Sequence, residues 1–124
     1  MKESDINKIE KIIHDRKEAH QFYTQQSKTY IAFTNMAKEA FSEGSLDKRT
    51  KELMAVSVSV VINCESCMEW HIGKALRAGA SEKQIIEAID VAMEMGGGPA
   101  TVAARFAFKV IEYYRQVAGQ MNHT

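Results

Sequence analysis

The residues best suited to chemistry are two cysteines and a histidine in one short stretch. Cys64 and Cys67, the two cysteines of the chain, form a C-x-x-C, and His71 occupies the i+4 position relative to Cys67. If Cys67 lies in the first turn of a helix, the imidazole of His71 lies one turn further along the same face. A helix N-terminus and a neighbouring imidazole both favour thiolate over thiol. The spacing therefore predicts a redox-active dithiol beside a group that exchanges protons.

Glu52 is the fourth candidate site residue, and it belongs to the preceding predicted helix. About three helical turns, or about 18 Å along a straight helix, separate it from Cys64. Its carboxylate reaches the thiols only if the helix that carries them folds back antiparallel, as in an αα-hairpin with a short connection. Such a hairpin puts the carboxylate beside the imidazole of His71 and orients the ring. The sequence therefore predicts a Glu52–His71 pair next to the cysteines.

Helices must position these residues, because helical periodicity extends along nearly the whole chain. A first helix, capped by Ser4 or Asp5, is predicted from a stripe of isoleucines: Ile6, Ile9, Ile12 and Ile13. A second amphipathic helix covers Tyr30 to Phe41, and Gly44 is predicted to stop it.

The third segment, from about Asp47 to Ile62, has two interpretations. Its centre, Val56 to Val60, alternates between valine and serine as a half-buried strand would. No second convincing strand exists to pair with it, and an isolated strand leaves its backbone groups unsatisfied. Serines in a buried helix can instead bond back to a carbonyl one turn earlier. We therefore predict a helix here.

Asn63 is predicted to end that helix and to cap a fourth one, which runs from Cys64 to Ala78 and is closed by Gly79. A fifth helix follows from a capping-box sequence that starts at Ser81. Its inner stripe comprises Ile85, Ile86, Ile89 and Met93.

Gly96 to Pro99 is the firmest break in the sequence, and proline suits the first turn of a last helix. The inner stripe of that helix comprises Val102, Ala103, Phe106, Val110 and Tyr114. The tail from Gly119 to Thr124 is predicted to fray. With no linker or repeat in the sequence, residues 1–124 are predicted to form one all-α domain of about six helices.

Composition narrows the class of protein. A chain of 124 residues, with 45% apolar and 26% charged residues, suits one globular domain. Its 16 basic and 16 acidic residues cancel, so charge gives no argument for nucleic acid as a partner. No run is long and apolar enough for a membrane span, and the N-terminus has no signal-peptide h-region. We therefore expect a cytoplasmic protein, in which a lone cysteine pair is more often redox-active or metal-binding than structural.

Several alternatives remain open from the residues alone. A thioredoxin-like fold needs strands around its C-x-x-C, and here the flanks are helical. Cys64, Cys67, His71 and Glu52 have the chemistry of a tetrahedral metal site, although no second C-x-x-C is present. The cysteines could also be inert residues of the core, since free cysteine buries readily.

Glu52, Cys64-x-x-Cys67 and His71 together resemble the signature of the alkylhydroperoxidase D-like branch of the carboxymuconolactone decarboxylase family. The resemblance covers roughly residues 46–104. It includes L-D-x-x-x-K-E-L, which starts at Leu46, and A-x-x-A-G-A-S-x-x-x-I-x-E, which starts at Ala75.

The resemblance implies an all-helical subunit that assembles into trimers or hexamers and reduces hydroperoxides through a dithiol–disulfide cycle. It implies that Cys67 is the peroxidatic thiolate, that Cys64 resolves the resulting sulfenic acid as a disulfide, and that His71 and Glu52 form a proton relay. Members that decarboxylate the muconolactone lack the cysteine pair, which argues against that activity here.

We therefore predict a thiol-dependent hydroperoxide reductase, with a disulfide oxidoreductase or a redox-sensing or metal-binding module as the alternative. The expected partners are a small hydroperoxide, further copies of the chain, and a reductant such as a lipoyl group, a thioredoxin-like protein or another dithiol. No cofactor and no metal is expected.

Overall fold

The computed structural model describes residues 1–121, and all its regular elements are helices. Their order is α1 (Glu3–Gln26), α2 (Lys28–Ala40), α3 (Lys48–Val61), α4 (Glu65–Arg77) and α5 (Glu82–Met121). The described residues contain no strand, so the predicted all-α class is confirmed and the helical interpretation of the third segment is correct. No helix in residues 1–121 is both long and apolar enough to span a membrane.

The core lies where α3, α4 and α5 pack on one another. Fully buried residues of the three helices meet there, among them Val56, Met68, Ile72, Ile89 and Val110. From α1, Ile9 reaches this core. Among the described helices α2 packs only against α1, and none of its residues is buried. The bundle is thus a three-helix core with α1 on its flank and α2 outside.

The connection between α3 and α4 fixes the backbone of the first cysteine. Asn63 adopts a left-handed conformation with φ 54°, which asparagine tolerates better than most residues. The N–H of Asn63 donates to the carbonyl of Val60 (3.1 Å), and that of Cys64 donates to the carbonyl of Ser59 (2.9 Å). This pair of bonds is a Schellman motif, which satisfies the last carbonyls of α3. Asn63 therefore ends α3 as predicted, but it does not cap α4; Cys64 takes that position.

Side chains cap the starts of α3 and α5, and the cap of α5 is the predicted one. The carboxylate of Asp47 accepts from the N–H of Thr50 (2.7 Å), and Ser81 and Gln84 exchange the two bonds of a capping box. Gly79 follows α4 with φ 95° in a second Schellman motif, as predicted.

Two further predictions of helix ends were wrong. The N-cap of α1 is Lys2, without a side-chain bond, because the helix begins at Glu3 and already contains Ser4 and Asp5. Phe41 is the C-cap of α2, so the helix ends before Gly44, which lies in the loop that follows. Neither shift changes which faces are apolar.

The predicted break at Gly96 to Pro99 is a kink at which two helical segments meet within α5. Gly97 has φ 69° and ψ −151°, a conformation open essentially to glycine alone. Pro99 then lies in the first turn after the kink, where its missing N–H costs little. The two last predicted helices are therefore joined, which gives five helices in residues 1–121 instead of about six. The α5 helix continues to Met121, and the rest of the tail predicted to fray lies outside the described residues.

Candidate active site

The hairpin of α3 and α4 brings Glu52 and His71 together. Nδ1 of His71 lies 2.8 Å from Oε1 of Glu52, a hydrogen bond between residues on different helices. The side chain of Glu52 is 2% exposed and that of His71 18% exposed. Because Nδ1 is taken by the carboxylate, the ring is held in one orientation and Nε2 is the nitrogen that can exchange a proton with another group. The pair predicted from the sequence is therefore formed.

The two cysteines lie at the N-terminus of α4 and are joined as a disulfide. Cys64 is the N-cap, and its Sγ accepts from the backbone N–H of Cys67 at 3.2 Å. Cys67 lies in the first turn and His71 one turn later. Both sulfur atoms are thus at the positive end of the helix dipole, next to N–H groups that have no partner within the helix. This environment favours a thiolate on either cysteine once the disulfide is reduced.

An open groove of about 450 Å³ runs beside Cys67 and His71. The ring of Phe41 stacks on the imidazole of His71, with centroids 5.2 Å apart and planes inclined by 19°. The rest of the lining is mostly apolar and comes from α2, α3 and the loop between them: Ala40, Leu46, Met54, Ala55, Val58 and Ile62. A groove of this size and character suits a small organic molecule and brings it to both reactive side chains.

Lys51 is a lining residue that the sequence analysis did not single out. Its Nζ donates to the backbone carbonyl of Ser42 (2.6 Å), which holds the ammonium at the α2–α3 end of the groove. Outside the disulfide, the ionisable residues that line the groove are Lys51 and His71. No carboxylate lines it. The lining of the groove therefore carries the positive charge of Lys51 and no negative charge.

The opposite face of α4 carries a buried carboxylate that the sequence analysis also missed. Glu69 is 0% exposed; it forms an ion pair with Arg16 of α1 and accepts a hydrogen bond from the hydroxyl of Tyr114 of α5 (2.5 Å). Gly73 makes room for this contact, because a Cβ there would lie 2.7 Å from the Tyr114 hydroxyl. One carboxylate thus ties α4 to both α1 and α5.

Tyr114 gives this network a measurable pH dependence. Burial, and then the hydrogen bond to Glu69, raise the pKa of Tyr114 well above its ordinary value. The folded protein therefore holds the phenolic proton more tightly than the unfolded chain does. Its contribution to stability is complete below the pKa of an exposed tyrosine, about 10, and is lost as the pH rises above that value.

We therefore expect the free energy of unfolding to fall with pH above about 10, and to fall less steeply in Tyr114→Phe. At neutral pH the same variant should lose about 1.5–3 kcal/mol, the contribution of a hydrogen bond to a charged group. Chemical denaturation at several pH values measures both effects. Tyr113→Phe is the control, because the hydroxyl of Tyr113 bonds the exposed Glu10 at 3.3 Å. This variant should lose less free energy of unfolding than Tyr114→Phe. Equal slopes for wild type and Tyr114→Phe would contradict this account.

The metal-site alternative finds no support in the described residues. No group of three or more histidine, cysteine, aspartate or glutamate side chains in that part of the chain is arranged to hold a metal ion. The two sulfurs, which a tetrahedral site would need as thiolates, are bonded to each other.

Comparison with known proteins identifies the family. The sequence model of the carboxymuconolactone decarboxylase family matches residues 27–110, a range that includes Glu52, both cysteines and His71. The chain belongs to this family. The resemblance predicted from the site residues is thereby confirmed.

Two uncharacterized proteins are similar to about two thirds of the chain. The chain is 47% identical over 81 residues to "Uncharacterized protein 4 in cox locus" of Paracoccus denitrificans, covering 65% of this chain and 73% of that protein. It is 39% identical over 83 residues to an uncharacterized protein of Cupriavidus necator, covering 67% and 71% of the two chains.

Crystal structures of family members have the same fold. A family protein of Thermotoga maritima, described as possibly involved in antioxidative response, superposes with a TM-score of 0.82 at 29% identity, covering 89% of this chain and 94% of that chain. A family protein of Legionella pneumophila superposes with a TM-score of 0.76 at 27% identity, covering 89% and 96%. The helical arrangement described above is thus the fold of this family.

Proposed function

We propose that the protein reduces organic hydroperoxides through a dithiol–disulfide cycle of Cys64 and Cys67, as in the alkylhydroperoxidase D-like branch of the family. One observation carries the proposal: the groove that leads to Cys67 is also lined by His71, whose other ring nitrogen is held by a buried carboxylate. The antioxidative role suggested for the Thermotoga maritima relative supports this proposal.

In the first step, Nε2 of neutral His71 accepts the proton of the Cys67 thiol. The thiolate attacks the terminal oxygen of the hydroperoxide, so that an S–O bond forms and the O–O bond breaks. The alkoxide that leaves takes the proton from the imidazolium of His71, and Cys67 is left as a sulfenic acid. Glu52 stabilises the imidazolium through its bond to Nδ1 and keeps the ring in place.

In the second step, the sulfur of Cys64 attacks the sulfur of the sulfenic acid. The S–S bond forms, the S–O bond breaks, and the hydroxide that leaves takes up the Cys64 proton to give water. This step needs the two sulfur atoms close together. The start of α4 places them so, because Sγ of Cys64 accepts a hydrogen bond from the N–H of Cys67. An external dithiol, such as a lipoyl group or a thioredoxin-like protein, then returns two electrons and two protons.

A disulfide oxidoreductase that exchanges electrons with other thiols, without peroxide, is the second candidate. The bonded pair at a helix N-terminus favours it, because both functions share the exchange between this disulfide and an external dithiol. The peroxidase cycle needs a continuous supply of reducing dithiols, so we propose the cytoplasm as its location.

A thiol count on the reduced, folded protein separates the two candidates. We expect two thiols per chain to disappear within seconds of adding one equivalent of an organic hydroperoxide. If the thiols persist under peroxide while a small disulfide still oxidises them, the peroxidase proposal is wrong and the oxidoreductase remains.

We also propose that the chain assembles into a trimer or hexamer, as the family resemblance implies. The α2 helix supports this, because Ile31, Phe33 and Met36 are each exposed and none of its residues is buried in the single chain. An apolar helix outside the core usually marks a contact with another protein surface. Light scattering of the purified protein measures the mass, and the mass of one chain would contradict the proposal.

A further inference from the structure

We infer that the groove selects hydroperoxides that carry a carboxylate on an apolar chain, with Lys51 as the residue that binds the carboxylate. This inference names the substrate class of the proposed reaction and therefore rests on it. It starts from the combination of one fixed cation with an otherwise apolar lining.

The ammonium of Lys51 has the position and the free donors for such a role. One N–H is directed to the carbonyl of Ser42, which leaves two for a ligand. No carboxylate of the lining competes for them. A single ammonium matches a monoanion such as a carboxylate, whereas a phosphate dianion would call for more donors than one lysine with an occupied N–H supplies.

The apolar lining has the length for a hydrocarbon chain. Met54, Val58 and Ile62 follow one another at i, i+4 and i+8 along α3, a row of about 12 Å, and each is more than half exposed. Contact with such a row does not favour the binding of polar groups, whereas methylene groups bind favourably there because they leave water. The row leads away from Lys51 towards the C-terminal end of α3, so a ligand with its carboxylate at Lys51 can lay its chain along it.

The reactive groups lie part-way along this path. Glu52, next to Lys51 in α3, bonds His71, and Cys67 is one turn of α4, or about 6 Å, further towards the Ile62 end of the groove. A peroxide group that meets Cys67 is therefore several carbons away from the carboxylate. The geometry fits a fatty acid hydroperoxide oxidised within its chain, and it does not fit one in which the peroxide is adjacent to the acid.

A binding experiment tests the inference without any turnover. Decanoate and decan-1-ol, which share one hydrocarbon chain, are titrated into the isotope-labelled disulfide form, and amide shifts are followed by NMR. We expect decanoate to bind with shifts along the groove, and Lys51→Met to reduce its preference over the alcohol about tenfold. Lys48→Met is the matched control, because it removes the same charge from the same helix at an exposed position outside the groove. Lys51→Arg, which keeps the charge, should retain most of the preference.

A kinetic experiment then joins the inference to the reaction. The ratio of kcat/KM for a fatty acid hydroperoxide to that for cumene hydroperoxide, which is neutral, should fall about tenfold in Lys51→Met and stay the same in Lys48→Met. Decanoate binding that is equal in wild type and Lys51→Met, or that is absent from the groove, overturns the inference whatever the peroxidase result. Lys51-dependent binding without peroxide consumption upholds the carboxylate site and instead refutes the proposed function.

Discussion

Replacement of Cys67 with serine is expected to abolish the rapid reaction with hydroperoxide, while replacement of Cys64 is expected to stop the cycle halfway. In Cys67→Ser no thiolate remains at the site next to His71 to attack the O–O bond. In Cys64→Ser the attack on peroxide proceeds, but the sulfenic acid on Cys67 has no partner thiol. One equivalent of peroxide should then be consumed, and a 1,3-dicarbonyl reagent should trap the sulfenic acid on Cys67.

The structure makes these variants suitable for comparison. Cys64 caps α4 with its sulfur, and serine is a better N-cap, so Cys64→Ser should keep or strengthen the start of the helix. Cys67 lies in the first turn, where serine fits the same space. Mass spectrometry after one equivalent of peroxide distinguishes the outcomes. A trapped adduct on Cys64 of the Cys67→Ser protein, formed as fast as the adduct on Cys67 of the Cys64→Ser protein, would reverse the two assigned roles.

The relation between Glu52 and His71 could be predicted because it follows from local geometry. A C-x-x-C at the start of one helix fixes where His71 lies, and a short connection forces the preceding helix to run back alongside it. The spacing does not give the direction in which the chain turns between α3 and α4. The Schellman motif at Asn63 supplies it, through two backbone bonds that asparagine's tolerance of a positive φ allows.

The capping errors arose where several residues in a row can form the same motif. Ser4 and Asp5 are good N-caps, yet the helix begins before both of them, at Glu3. Asn63 suits an N-cap as well as a left-handed C-terminal position. Propensity alone does not decide between adjacent positions. Similarly, three glycines and a proline predict a break, but whether the chain kinks or turns there depends on how the two halves of α5 pack.

The contacts of Glu69 and Lys51 could not be predicted, because their partners lie far away in the sequence or in a loop. Glu69 pairs with Arg16 and Tyr114 on two other helices. The sequence does contain a signal for Glu69, because this residue shares a helical face with Ile72, Gly73 and Leu76. That face is directed to the core, and a buried carboxylate needs a hydrogen-bond partner. Lys51 gave no comparable signal, since its role depends on the carbonyl of Ser42.

Glu52→Gln is the substitution expected to have the second largest effect on the reaction. The carboxylate is 2% exposed and bonds Nδ1 of His71 at 2.8 Å. Glutamine has nearly the same shape and can still accept from Nδ1–H, but it lacks the charge that stabilises the imidazolium formed when Cys67 loses its proton. We expect the rate constant for oxidation of Cys67 by hydroperoxide to fall about 100-fold, within the range attributed to general acid–base catalysis. Stopped-flow measurement with excess peroxide gives this constant directly.

A second buried glutamate provides the matched control for this prediction. Glu69 lies in the same hairpin and is 0% exposed, but its carboxylate faces Arg16 and Tyr114 on the opposite side of α4 from the groove. Glu69→Gln should therefore lower the free energy of unfolding, while the folded protein retains the oxidation rate of wild type. Glu52→Gln should show the reverse: helical circular dichroism intact, decanoate binding intact and slow oxidation. A Glu52→Gln protein that reacts at the wild-type rate would show that the imidazole needs no carboxylate, and the relay would then consist of His71 alone.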